Sequence, residues 1–470
     1  MTHETDPTLW PVQRLSTEIS SRRLSPVDLV DAYLARIDAH DDRLHAFIEV
    51  YADDARLAAQ AADKAIRSGH AVGPLHGIPI AIKDLVEIEG RYVSGGCSQW
   101  VERKSARTAT LARRLMQQGM IVLGRTHMVE FAFGGWGTNQ CMGTPWNPWD
   151  PLQARIPGGS SSGSGVAVAA ALAPWAMGTD TGGSVRLPAS YCALTALKTS
   201  AGRISNYGVL PLSPTLDTPG PMARTAKDAA LLYLAMQGPD PLDPRTLGLP
   251  VVHGLPSLHR GIAGLRLARM PDSERAGVAS EVLDAYDRSL DELARLGASI
   301  ETITLPCGFA DVAALSGRIM MAEGYANVGD MVDNDGLRLD EDVRPRLRAG
   351  RDVSAQAYIS ALGERAQLVR DFDAALSNVD ALLTPTTPTT ALLLDEVDQS
   401  KGPTQFTRPA NFLDLCALAL PNGIDTNGLP TSLQIMGRTY TEETVLRIGC
   451  AYQSATDWHT KYAPGIASGM

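Results

Sequence analysis

The sequence has no excess of basic residues. Its 42 lysines and arginines are outnumbered by 52 aspartates and glutamates, which gives a formal net charge of −10. A protein that binds nucleic acid needs clustered positive charge to replace the counterions of the phosphate backbone. No basic stripe runs along this chain, so the sequence argues against a nucleic-acid partner.

Paired cysteines and long apolar runs are also missing. The six cysteines are scattered without a C-x-x-C pair, which favours reduced, mostly buried thiols over a disulfide or zinc framework. The longest apolar run, Val166 to Met177, is too short to cross a bilayer and contains Pro174. The first ten residues lack the apolar stretch of a signal peptide. We therefore expect a cytoplasmic protein with no membrane partner, no metal and no cofactor.

The chain is organised around the stretch from Pro157 to Arg186. It opens with GGSSSG and closes with TDTGGSVR, and most residues between these loops are small and apolar. Glycine lets main-chain N–H groups approach a ligand, because no side chain stands in the way. A flexible linker shares this composition, but the apolar segment predicts a buried helix followed by a strand. We therefore expect both loops to be held on a rigid scaffold.

A second chemical signal lies at the end of the apolar segment LHGIPIAIKD, from Leu75 to Asp84. Lys83 follows Ile78, Ile80 and Ile82, so we expect its backbone to be buried while its ammonium group reaches past the end of a strand. A lone lysine is usually a solvated surface residue. The isoleucines that precede this lysine weaken that interpretation.

Serine acts as a nucleophile only when a base removes its proton, and the usual base is histidine. Gly159 to Gly163 fits G-x-S-x-G, the nucleophile elbow of α/β-hydrolases, with Ser161 at its centre. An elbow follows a strand, whereas Pro157 and two glycines stand here, and His459 is the sole histidine late in the chain. Ser161 with His459 is therefore the disfavoured alternative.

The two serine loops and the lysine segment together resemble the amidase signature family. That family carries GGSSGGS followed by TDxGGS(I/V)R, and its catalytic lysine ends a segment G-x-P-x-x-x-K-D, matched here from Gly77 to Asp84. This chain departs from the pattern at Ser162, where glycine is usual, and at Gly165, where alanine is common. The resemblance is strong over about residues 24–234 and moderate over about residues 381–452.

This resemblance implies a hydrolase of the serine–serine–lysine type. Ser184 is the expected nucleophile, Ser160 the relay hydroxyl after a cis peptide bond, and Lys83 the base. Lysine has a pKa of roughly 10.4 in water, so it serves as a base only where burial lowers that pKa. The expected oxyanion hole consists of backbone N–H groups of the second loop, at Thr181, Gly182, Gly183 and Ser184.

The same resemblance implies the fold, a single large α/β domain whose twisted mixed sheet is surrounded by helices. Within this domain of residues 1–470 we expect four segments. They are N-terminal helices over 1–70, the signature core over 71–237, a variable helical lobe over 238–378 and a C-terminal return to the core over 379–470. We expect the lobe to cover the substrate pocket.

The substrate pocket is expected beside the loop HMVEFAFGGWG. Its position matches a family loop at the acyl end of the pocket, and its apolar side chains are the expected wall: Met128, Val129, Phe131, Phe133 and Trp136. A hydrophobic core under a loop would use the same residues. Because the loop supplies no cation, and no arginine is evident that would bind a carboxylate, we expect an apolar or aryl amide.

Several related activities stay open. Carbamates and aryl esters suit the same catalytic groups, and the family includes a glutamine-hydrolysing subunit that supplies ammonia for transfer-RNA amidation. That subunit usually has an acid just before its F-T-x-P-A-N block, where this chain has Thr404 and Gln405. A non-catalytic scaffold would have lost one of the three catalytic residues, and all are present. The expected partner is therefore a small amide or carbamate substrate, with a homodimer left open.

Overall fold

A computed structural model of the chain describes residues 6–70 and 72–466. The outer ends of the predicted N-terminal and C-terminal segments, and residue 71 at the start of the predicted core, lie outside the described residues. Eleven strands, β1 to β11, occur in this order: Phe47–Val50, Pro79–Lys83, Ile121–Thr126, Ala176–Asp180, Thr195–Lys198, Thr218–Ala223, Arg266–Arg269, Ser299–Thr302, Ala381–Pro385, Cys416–Ile424 and Pro430–Gly437.

Thirteen α-helices, α1 to α13, accompany these strands in the described ranges. In chain order they are Val12–Ser20, Pro26–Leu44, Ala52–Arg67, Thr110–Gln117, Ser162–Ala169, Arg186–Tyr191, Ala226–Met236, Ser280–Arg295, Phe309–Val332, Arg344–Arg348, Ala355–Ala375, Arg408–Phe412 and Glu442–Ala455. Within those ranges, no helix has the length and apolar character needed to cross a membrane.

All eleven strands form one mixed sheet, in the order β1-β3-β2-β4-β6-β5-β10-β11-β9-β7-β8. β2 is parallel to β3 and β4, and β7 is parallel to β8 and β9. The other pairs are antiparallel, including the β10–β11 hairpin. The predicted fold class, one large α/β domain with a mixed sheet surrounded by helices, is confirmed.

The centre of the sheet is covered on both faces. Every residue of β2 and of β4 is buried, and a strand buried on both faces has an almost continuous apolar sequence. The strand expected from Leu75 to Asp84 is shorter in the structure, because the chain turns at Gly77 with a φ of +79°. Lys83 is nevertheless the last residue of β2, as the sequence pattern predicts.

The apolar segment between the two serine loops forms α5 and then β4, as predicted. All eight residues of α5 are buried. Its glycines permit close approach of other backbone, since a Cβ atom on Gly163 would stand 2.2 Å from the carbonyl oxygen of Ala46. The loops are therefore held by buried elements and are not a flexible linker.

A buried ion pair fixes the second loop to the rest of the sheet. The guanidinium of Arg186 donates from Nη2 and Nε to the two carboxylate oxygens of Asp180 at 2.9 and 3.0 Å, and both side chains are fully buried. The same guanidinium donates to Gln434 of β11 at 2.6 Å and to Asn411 of α12 at 2.7 Å. This arginine therefore joins the loop to two segments from the far end of the chain.

Replacing Arg186 with methionine should lower the free energy of unfolding by about 3–5 kcal/mol, because the carboxylate of Asp180 would stay buried without its partner. The control is Arg56→Met, because Arg56 pairs with Asp31 on the surface, where such a pair is worth at most about 1 kcal/mol. Urea unfolding of both variants measures the difference. Equal losses would contradict a structural role for the buried pair.

Candidate active site

The lysine strand and the two serine loops meet at one edge of the sheet. β2 and β4 are parallel neighbours, with Ile82 paired to Met177, so the ends of both strands lie side by side. Lys83 Nζ donates to Ser160 Oγ at 2.8 Å and to Thr179 Oγ1 at 3.0 Å. The fold thus joins a lysine and a serine that stand 77 positions apart in the chain.

Ser160 and Ser184 belong to loops that contact each other through their backbones. A cis peptide bond joins Gly159 to Ser160, and the N–H of Ser161 donates to the carbonyl oxygen of Ser184 at 3.3 Å. In the part of the chain that the structure describes, no hydrogen bond joins the hydroxyls of Ser160 and Ser184. Contacts of this kind are often long before a substrate tightens them.

Burial changes the acid–base behaviour of Lys83. Its side chain is fully buried, and no carboxylate among the described residues lies within ion-pair distance of Nζ. Burial lowers the pKa of this amine from 10.5 to about 7, against the opposing negative charges of Asp217 and Asp180. A lysine with a pKa near 7 is substantially uncharged at neutral pH and can accept a proton.

The second loop offers backbone N–H groups for an oxyanion, with one correction to the predicted set. The N–H of Gly183 donates to Asp180 Oδ1 at 2.7 Å, so an oxyanion would have to displace a carboxylate at Gly183. Within residues 6–70 and 72–466, the N–H groups of Thr181, Gly182 and Ser184 donate to no acceptor. These three N–H groups remain candidates for the oxyanion hole.

Asp217 was not predicted from the sequence, although it binds the second loop through Thr181. Its carboxylate accepts a hydrogen bond from Thr181 Oγ1 at 2.5 Å and from the N–H groups of Leu212 and Ser213 at 3.0 Å. Burial raises the pKa of Asp217 to about 6 despite these hydrogen bonds. One sequence signal does indicate this residue, because Asp217 is the one charged residue between Val209 and Ala223.

The structure does not support the α/β-hydrolase alternative. Ser161 is fully buried, and its Oγ donates to the carbonyl oxygen of Thr179 at 3.3 Å. His459 lies in a short helical turn whose backbone accepts a hydrogen bond from Arg224. No contact between Ser161 and His459 occurs in the described residues.

The described residues also contain no group of three or more His, Cys, Asp or Glu side chains that could hold a metal ion.

A cavity of about 360 Å³ opens beside Ser184. Thr181, Gly182 and Ser184 of the second loop contribute to its lining. Phe133 and Trp136 line it as predicted from sequence. The long helix α9 adds a further, mostly apolar part of the lining through Ala313, Ala314, Gly317, Met320 and Met321.

The other three predicted wall residues do not reach this cavity. Met128 and Phe131 line a second cavity of about 200 Å³ together with Trp100, which packs edge-on against Phe131, and Val129 is buried. The reason is a backbone turn, because Phe131 and Ala132 have left-handed φ values of 50° and 61°. This turn separates the side chains before it from Phe133, so the alternative of a core under the loop fits these three.

Positively charged side chains also line the cavity, whereas the sequence predicts no cation beside the substrate. Arg346 from α10, Arg408 from α12 and Lys401 line it. Arg346 donates to the carbonyl oxygens of Phe133 at 3.4 Å and of Gln399 at 2.6 Å. No local sequence signal marks these residues, because the fold brings them to the cavity from positions far from both serine loops.

Comparison with known proteins agrees with this architecture. Residues 28–446 match the protein family Amidase. A glutamyl-tRNA(Gln) amidotransferase subunit of Trichlorobacter lovleyi is 35% identical over 481 residues, covering 96% of this chain and 98% of that protein.

Two solved structures are also similar. The peptide amidase of Stenotrophomonas maltophilia superposes with a TM-score of 0.85 at 30% identity, covering 94% of this chain and 96% of that one. A vestigial protein complex that reveals the origins of an s-triazine catabolic enzyme contains a chain with a TM-score of 0.89 at 31% identity, covering 95% of this chain and 98% of that one.

Replacing Asp217 with asparagine should lower the pKa of Lys83 below about 7. The carboxylate of Asp217 favours the charged ammonium, so its removal makes protonation harder. The measurement is an NMR titration of the Lys83 side chain, assigned with a Lys83→Met variant. An unchanged or higher pKa would contradict the electrostatic link between the two residues.

Proposed function

This chain belongs to the amidase family of enzymes that act on amide carbon–nitrogen bonds, and we propose that it hydrolyses small amides through an acyl-enzyme on Ser184. The observation that carries the proposal is the buried contact between Lys83 Nζ and Ser160 Oγ at 2.8 Å. Ser184 lies on the loop beside this pair and opens onto the cavity. A base, a relay hydroxyl and an accessible nucleophile are the groups that acyl transfer requires.

Acylation would proceed by a relay of protons. Neutral Lys83 takes the proton of Ser160 while Ser160 takes that of Ser184, whose Oγ attacks the amide carbonyl carbon. Negative charge develops on the carbonyl oxygen, where the N–H groups of Thr181, Gly182 and Ser184 would stabilise it. The relay then returns a proton to the nitrogen, the carbon–nitrogen bond breaks and the amine leaves.

Deacylation would repeat the sequence with water in place of the serine. The relay takes a proton from water as its oxygen attacks the ester carbonyl carbon, and the bond to Ser184 Oγ breaks with return of a proton to that oxygen. The products are a carboxylic acid and the free enzyme. Thr179, which accepts a hydrogen bond from Lys83, would keep the amine aimed at Ser160 throughout both steps.

The finer proposal is an amide substrate with an apolar or aryl part. Phe133, Trp136 and the apolar residues of α9 line the cavity, and apolar surface removed from water there favours binding. The volume of about 360 Å³ lies at the small end of the range of ligand pockets. Carbamates and aryl esters are alternatives for the same catalytic groups.

A second candidate is glutamine hydrolysis as one component of an amidotransferase. The 35% identity to the Trichlorobacter lovleyi protein over nearly the whole chain favours this candidate. Thr404 and Gln405 stand where the glutamine-hydrolysing members of the family usually have an acid. A hydrolysis panel of anilides, primary amides, aryl carbamates, esters and glutamine separates the two candidates.

Ser184→Ala should lower kcat by at least roughly a thousandfold, because the nucleophile is lost. A fluorophosphonate probe should label Ser184, and peptide mass spectrometry locates the adduct. The control is Ser161→Ala, which should keep the labelling at Ser184, because Ser161 Oγ is bonded within the protein. An adduct on Ser161 of the wild-type enzyme would overturn the assignment.

Phe133→Ala should reduce the advantage of an anilide over acetamide in kcat/KM. Burial of an aromatic ring against this wall contributes roughly 2 kcal/mol, or about thirtyfold. The matched control is Met128→Ala, which alters the second cavity and should leave the preference for the anilide in place. If both variants lose the preference equally, Phe133 does not bind the aryl group.

A further inference from the structure

The charges around the catalytic cavity do not balance. Arg346, Lys401 and Arg408 line it, and no aspartate or glutamate of the described residues does. Lys401 is largely exposed and pairs with Asp398 at 3.2 Å. Across residues 6–70 and 72–466, Arg346 and Arg408 form no ion pair within 4.0 Å. An acidic protein with a net charge of −10 thus keeps two guanidinium groups without a carboxylate partner at one small site, although Arg346 donates hydrogen bonds to Phe133 and to Gln399.

Arg408 is the less satisfied of the two. Its Nε is buried and has no hydrogen-bond partner in the described part of the chain. The one hydrogen bond of its side chain there runs from Nη1 to the carbonyl oxygen of Ala313, at a long 3.3 Å. A guanidinium has five N–H donors, and burying them unpaired is costly. Nη2 makes no hydrogen bond in the described ranges either, and it is not among the buried atoms, so the outer end of the guanidinium is left for a molecule in the cavity.

The free N–H donors of Arg408 lie beside the loop that carries Ser184. The neighbour of Arg408, Thr407, donates from Oγ1 to the carbonyl oxygen of Gly182 at 2.7 Å. A Cβ atom on Gly182 would stand 3.2 Å from Cγ and 3.8 Å from Nε of Arg408. The guanidinium stem therefore packs directly on the loop that carries the nucleophile.

Arg346 lies close enough for the two positive charges to interact. Burial lowers the pKa of Arg408, and the charge of Arg346 lowers it further. Burial also lowers the pKa of Arg346, which Asp342 and Asp340 partly oppose from outside the cavity lining. An anion between the two guanidiniums would relieve their repulsion and supply the missing partner.

We propose that the substrate carries a carboxylate but no ammonium group, and that Arg408 together with Arg346 binds this carboxylate. The proposal rests on the proposed function and specifies its substrate class. A carboxylate accepts paired hydrogen bonds from the planar guanidinium fork. The absence of an acid from the described lining leaves an ammonium group without a partner among three cations, which disfavours free glutamine.

Matched substrates test the proposal on the wild-type enzyme. On the acyl side, glutaric acid monoamide is compared with 5-oxohexanamide, which replaces the carboxylate by a neutral methyl ketone, and with glutamine, which adds an ammonium. On the amine side, 4-acetamidobenzoate is compared with 4-nitroacetanilide, a neutral analogue of similar shape. The side on which the carboxylate improves kcat/KM shows whether the acyl or the amine part carries it.

We expect the carboxylate to raise kcat/KM at least tenfold over its neutral counterpart on one of the two sides, and glutamine to fall at least tenfold below the monoamide. Equal rates within each pair, or glutamine as the best substrate, would overturn the proposal. These comparisons need no variant, so they do not depend on the folding of any mutant.

Variants then assign the effect to residues. Arg408→Met should bring the ratio between the carboxylate and neutral substrates to within about threefold of one, and Arg408→Lys should restore part of it. The control is Arg351→Met, which also removes one positive charge. Arg351 is exposed and pairs with Asp333 and Asp352, so this variant should keep the full ratio. A ratio that survives in Arg408→Met and in Arg346→Met would overturn the assignment.

A binding measurement separates this proposal from the proposed function. Glutarate is titrated calorimetrically into Ser184→Ala and into Ser184→Ala carrying Arg408→Met, where we expect at least tenfold weaker binding. If glutarate binding depends on Arg408 while the wild-type protein hydrolyses no amide of the panel, the hydrolase is refuted and the carboxylate site is supported. Hydrolysis of neutral amides without Arg408-dependent binding would refute the carboxylate site alone.

Discussion

Exclusion of water from one amine is the constraint on which the rest of the site depends. Lys83 ends a strand whose five residues are all buried, and that burial lowers its pKa to about 7. An exposed lysine in the same geometry would stay charged and could only donate to Ser160. The width of the sheet and the helices on both of its faces therefore have a chemical purpose as well as a structural one.

Two carboxylates limit how far this desolvation goes. Asp180 and Asp217 favour the charged form of Lys83, so its pKa is a compromise between burial and nearby negative charge. Burial would raise the pKa of Asp180, but Arg186 reverses this effect and the pKa is lowered. Asp180 thus remains charged, shapes the second loop through Gly183, and still acts on Lys83 from a distance.

Features carried by neighbouring residues could be predicted from the sequence, and features created by distant segments could not. A strand that ends in lysine and two glycine-rich serine loops carry the resemblance to the amidase signature family, and that resemblance implies the fold class and the candidate roles of Lys83, Ser160 and Ser184. The sequence predicts one continuous wall from Met128 to Trp136, because it does not reveal the left-handed φ of 50° at Phe131 that separates the side chains on either side. The place of Arg408 cannot be predicted from neighbouring residues, because a hydrogen bond spanning 225 positions, from Thr407 to Gly182, brings it to the cavity.

The strand order also constrains how the protein is made. β10 and β11 are synthesised long after β5, yet they lie in the middle of the sheet between β5 and β9. At roughly 5–20 residues per second, β5 waits on the order of ten to forty seconds for its partner, with an unpaired edge that other strands can join. Arg186 likewise lacks Gln434 and Asn411 until then. A nascent chain therefore cannot complete the hydrogen bonds that hold Arg186, and with it the second loop, until these distant segments have been made.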